Sequence, residues 1–128
     1  MSGDGATPEI LLRGARVVMT RPDSAWGGVW PRAAALLTRQ ALEDGVDRLW
    51  TGPLANMRFA SMKAQMVCLP EYLDDRVLAR DTYGAWCALS NACHVHPFDL
   101  APTAEELQGW GEVVGRLLAA TTTVDIAS

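Results

Sequence analysis

The stretch from Asp75 to Pro97, DRVLARDTYGAWCALSNACHVHP, constrains this chain more than any other. Placed on a helix, Leu78, Thr82, Ala85, Trp86, Leu89, Ala92, Cys93 and His96 share one face, because steps of three and four follow the helical turn. A helix with so wide an apolar stripe must bury it against other elements. The flanking segments supply more helical stretches of the same kind. The last two turns also hold both histidines, two of the three cysteines, a serine and an asparagine. The candidate polar site is therefore Ser90, Asn91, His94 and His96.

Upstream, residues 1–8 read as a flexible tail rich in small polar residues. Glu9 to Thr20 is ambiguous: Ile10, Leu11 and Leu12, then Val17, Val18 and Met19, fit a bent strand pair or a short helix interrupted by Gly14. Arg21 to Gly28 carries loop chemistry. Pro31 suits a helix start, and a wide apolar face then runs to Trp50 through Ala34, Ala35, Leu37, Ala41, Leu42, Val46 and Leu49. Gly45 inside it costs about 1 kcal/mol against alanine. Thr51-Gly52-Pro53 ends the helix. Asn56 to Leu69 predicts the next, with Asn56 as N-cap and Phe59, Met62, Met66 and Leu69 as its stripe. Pro70 ends it or opens a short turn, and Asp74 or Asp75 caps the long helix. Thr103-Ala104-Glu105-Glu106 is a capping box for a last helix through Leu107, Trp110, Val114, Leu117 and Leu118. Residues 121–128 read as a C-terminal tail.

These elements predict an all-α fold, an antiparallel bundle of four to five helices forming one domain over residues 9–120. At 128 residues the chain is long enough to bury a core, and its 49% apolar residues are ordinary for a globular protein. No glycine-rich phosphate loop or strand–helix alternation argues for a nucleotide fold. No apolar run approaches bilayer length, so no membrane is expected. MSGDGATPEI is not a secretory signal, and the expected location is the cytoplasm. The three cysteines, Cys68, Cys87 and Cys93, are expected as reduced, buried thiols. A net charge of −4 disfavours RNA or DNA as partner. Neither Arg13, Arg16 and Arg21 nor Arg32, Arg39 and Arg48 make a basic patch dense enough to reverse that.

The histidines lack the i, i+4 spacing of a shared metal ion: on a helix His94 and His96 point about 200° apart. A metal site would need Glu71, Asp74 or Asp99 from elsewhere, and no cofactor is expected. Cys93 and His94 are adjacent, so their side chains diverge by about 100°, and adjacency is no nucleophilic pair. The plainer reading makes both histidines structural, with ring nitrogens bonded to backbone carbonyls near the helix end.

Two places resemble the HEPN superfamily of small helical domains: Leu37-Thr38-Arg39-Gln40-Ala41-Leu42-Glu43, and the end of the long helix, where Asn91 and His96 occupy the family's polar and histidine positions. Ser90 stands where the family carries arginine. Arg80 lies about 15 Å away along the helix, too far to replace it within one subunit. The resemblance implies a homodimeric helical bundle. It also implies that an arginine and a histidine act on RNA in the active members. Lacking that arginine, this chain is expected to be a catalytically degenerate interaction module, acting as a homodimer or with a partner protein. Trp26, Trp30, Trp50 and Trp110 are candidate interface anchors. The alternatives are a metal-independent RNase of toxin or defence type, using His96 or His94 with Asn91 at a dimer cleft, and a small-molecule-binding or metal-dependent protein.

Overall fold

In a computed structural model, the chain is described over residues 5–20, 29–94 and 100–127, with side chains to residue 122. The helices are α1 (Pro8–Thr20), α2 (Trp30–Asp47), α3 (Met62–Tyr72), α4 (Arg76–Cys93) and α5 (Ala104–Ala127), with a 3-10 helix over Gly52–Phe59 between α2 and α3. Among the described residues there is no strand, so the fold is all-helical. None of these helices is long and apolar enough to cross a membrane.

Local chemistry sets most of the boundaries. The ambiguous Glu9 to Thr20 segment is helical, opened by the Thr7 hydroxyl, which accepts from the Ile10 amide. Leu12, Ala15 and Val18 form its buried face. Asp75 caps α4, its Oδ1 accepting from the Leu78 amide at 3.0 Å. The capping box on α5 is reciprocal: Thr103 Oγ1 accepts from the Glu106 amide at 3.1 Å, and the Thr103 amide donates to Glu106 Oε1 at 2.9 Å. That helix continues through Ala127, so its backbone takes up most of the 121–128 tail.

Three expectations are corrected. Asn56 does not cap a helix. Residues Gly52–Phe59 form a 3-10 helix entered through Gly52 at φ 56°, and Phe59 is 85% exposed. The cap is Ser61, whose Oγ accepts from the Ala64 amide at 3.1 Å. Pro70 does not end α3, which runs on to Tyr72. The cysteines are free thiols, as expected, but they are not buried: Cys87 is exposed and Cys68 and Cys93 are half-buried.

Helix α2 packs against α1, α4 and α5 at once. Its buried face is built from small residues, Ala34, Ala35, Thr38, Ala41 and Gly45, with Leu42 and Val46. Small side chains let several helices approach one axis closely, while leucines from the neighbours fill the space between. Leu78, Ala79, Thr82, Ala85 and Leu89 bury the stripe of α4, and Val114, Leu117 and Leu118 that of α5. Trp50 belongs to this core at 1% exposure rather than to an interface.

Polar links fix the helices in register. Arg48 donates to both carboxylate oxygens of Glu9 at 2.7 and 2.8 Å, joining α1 to the end of α2. This guanidinium holds the Glu9 carboxyl below its ordinary pKa, chiefly by hydrogen bonding. Glu43 Oε2 accepts from Arg39 Nε on its own helix and from Trp86 Nε1 on α4, at 3.1 and 2.9 Å. Arg116 reaches Asp81 at 3.2 Å between α5 and α4. Burial pushes the Asp44 carboxyl up, against the hydrogen bond it takes from Gln40.

Candidate functional site

The last turn of α4, the first turn of α2 and the start of α5 meet around a cleft of about 490 Å³. Asn91, on the face of α4 opposite its buried stripe, and His94, just past the helix end, line it, both exposed. Arg32 lines it from α2, and Thr103, Glu106 and Trp110 from α5, with Leu100 at 95% exposure beside them.

Arg32 holds the cleft together. Its Nη1 donates to the carbonyl oxygens of His94 at 2.8 Å and Ala92 at 3.2 Å. The last carbonyls of a helix have no partner within the helix and carry its negative dipole end. A guanidinium delivered from another helix satisfies two of them. It also fixes where α4 stops: the chain leaves helical geometry at His94, with ψ 139°. The expected helix to His96 is therefore shortened to Cys93.

The four sequence candidates separate. Asn91 and His94 share the cleft. Ser90 does not line it; its Oγ is buried with no hydrogen-bond partner among the described residues. His96 lies outside the described residues, as does Asp99. Glu71 and Asp74 lie before the start of α4, about 28 Å from His94 along that helix, and cannot share a metal ion with it. Among the described residues no three histidine, cysteine or carboxylate side chains converge on a common point.

Arg32 and Glu106 were not site candidates in the sequence, and Trp110 was one only as an interface anchor. One signal for Arg32 is readable in retrospect: it stands in the first turn of α2, where the helix dipole disfavours a cation and no acidic residue is present. A charge placed against that local preference has a use elsewhere. Glu106 is legible only as a capping residue, and that role occupies one oxygen, Oε1.

The cleft is thus bipolar. Its lining residues carry one guanidinium, one carboxylate, an amide, an imidazole and an indole. Set against known protein families, curated proteins and solved structures, the chain matches none.

Proposed function

We propose that this chain is an interaction module: an antiparallel bundle of α1, α2, α4 and α5 with α3 appended, HEPN-like in build, catalytically degenerate, and acting as a homodimer. The observation that carries this reading is an open groove of about 480 Å³ between α3 and α4, lined by Met66, Val67, Pro70, Ala79 and Tyr83. Val67 is 59% exposed there, and Gly84 leaves the groove open on the α4 side. Apolar surface of this kind is stabilised by being covered.

The charges on the same two elements favour a second copy of the chain as occupant. Arg80 lines the groove and Arg76 stands one turn before it on α4, while Glu71 lies in the last turn of α3 and Asp74 in the connection to α4, all exposed. None of the four is in an ion pair among the described residues. A self-complementary two-fold interface needs both signs on the same face, and these residues supply them. Three free thiols, with Cys87 in the open, fit a cytoplasmic setting.

Light scattering on size-exclusion eluate tests the dimer. The wild type is expected at twice the chain mass. Gly84→Lys is expected as a monomer, because a Cβ at Gly84 meets nothing within 4 Å and the new side chain fills the groove without disturbing the helix. A monomeric wild type across the micromolar range sinks the reading.

A second reading, RNA cleavage, is favoured by Arg32, which reaches the cleft of Asn91 and His94 from α2 and could stand for the motif arginine. Two features weigh against it. Nη1 is already committed to backbone carbonyls, and Glu106 faces the same space as a phosphate would. RNA left intact by the wild type excludes this reading.

A further inference from the structure

The cleft at the end of α4 has a recognition chemistry of its own, independent of the dimer groove, which uses the first half of that helix. Arg32 spends only Nη1 on the carbonyls of Ala92 and His94. Among the described residues its Nε and Nη2 make no hydrogen bond, and no carboxylate pairs with it. Those two nitrogens present the edge of a guanidinium that grips a carboxylate with two parallel bonds. Arg32 is half-buried and its guanidinium already anchored at Nη1, so little side-chain freedom remains to be lost when an anion docks.

The other walls decide which anion. Trp110 is half-buried on one side, and Leu100 stands 95% exposed on another. They offer an indole and an aliphatic surface to an apolar body. Asn91 adds a neutral donor and acceptor on the α4 wall. Glu106 sets the limit: its carboxylate lines the same cleft as Arg32, so every negative charge on a ligand meets some repulsion, and a ligand with several meets the most.

We propose that this cleft binds a monocarboxylate carrying an aromatic or bulky apolar group, its carboxylate on the Nε–Nη2 edge of Arg32 and its apolar body against Trp110 and Leu100. Two ligands share that chemistry: a free aromatic acid, and the C-terminus of a peptide ending in an aromatic residue.

Titration of the ¹⁵N-labelled full chain followed by two-dimensional NMR tests this. Phenylacetate is expected to shift the Trp110 indole N–H and the amides at Asn91 and Thr103 saturably, and phenylacetamide is not. A short peptide ending in phenylalanine is compared with its C-terminal amide. Tighter binding of the free peptide than of phenylacetate identifies a peptide end, and the reverse identifies a free acid; either supports the carboxylate site. Arg32→Gln is expected to abolish the response. Because that change also frees the end of α4, Glu106→Gln is the second variant. Glutamine keeps the capping geometry, and loss of the negative charge is expected to tighten phenylacetate binding about two- to five-fold. Equal shifts from acid and amide, no saturable shift up to about 10 mM, or unchanged affinity in Glu106→Gln overturns the proposal.

Discussion

Trp50→Ala is expected to lower stability by about 4 kcal/mol, read as a lower urea midpoint with an unchanged slope. Trp50 is 1% exposed and sits just past the end of α2. Its Nε1 donates to Gln65 Oε1 at 2.8 Å, and its ring meets Tyr72 edge-on with centroids 5.5 Å apart. Gln65 is itself 3% exposed, and its Nε2 donates to the Ala60 carbonyl at 2.9 Å. One indole thus ties the end of α2 to both ends of α3. Alanine removes the ring, leaves a cavity and orphans a buried acceptor. Trp50→Phe separates these effects: it keeps most of the apolar volume and leaves Gln65 Oε1 unpaired, at a cost of about 1–3 kcal/mol. The expected order of stability is wild type, then phenylalanine, then alanine. Phenylalanine matching the wild type overturns the claim that the buried amide needs the indole. Because α3 forms one wall of the proposed dimer groove, Trp50→Ala is also expected to weaken self-association.

The same region shows where sequence reading stops. Phe59, Met62, Met66 and Leu69 have helical spacing, yet Phe59 lies outside the helix and in solvent. Periodicity registers which side chains share a face and does not register where the backbone changes hydrogen-bond pattern. Ser61 carried that information as a cap, but without a glutamate or glutamine three residues on it lacked the second half of the box. Where both halves are present, at Thr103 and Glu106, the boundary was legible to the residue. The stripe of α4 was equally legible, from Leu78 to Leu89, because amphipathicity is a property of one helix alone.

The candidate site divides along the same line. Asn91 and His94 could be named because they lie together on one helix end. Arg32 is 60 residues before Ala92, whose carbonyl it caps. Nothing in local spacing says which helix ends meet. That information belongs to the packing, which depends on small side chains along α2 whose role is to be absent from the space between helices.

Gly45 is the sharpest case, and its replacement by valine is expected to cost about 2–3 kcal/mol. By propensity alone a glycine inside a helix is a defect that any side chain repairs. Here a Cβ would stand 2.8 Å from Leu118 Cδ2 and 3.3 Å from Leu117 Cδ2, since α5 crosses α2 at this point. Alanine is expected to come out within about 1 kcal/mol of the wild type, because the helical gain opposes a shift of the Leu118 side-chain tip. Valine adds two further methyl groups to a space that takes a Cβ only when the Leu118 tip shifts, and α5 must move. Gly109 is the control: it also lies inside a helix, on α5, but a Cβ there meets nothing within 4 Å. Gly109→Ala is therefore expected to gain up to about 1 kcal/mol. Thermal melts of the three variants side by side decide the matter. A Gly45→Val protein that melts with the wild type would mean that α2 and α5 do not meet at this glycine, and the placement of the helices around α2 would fall with it.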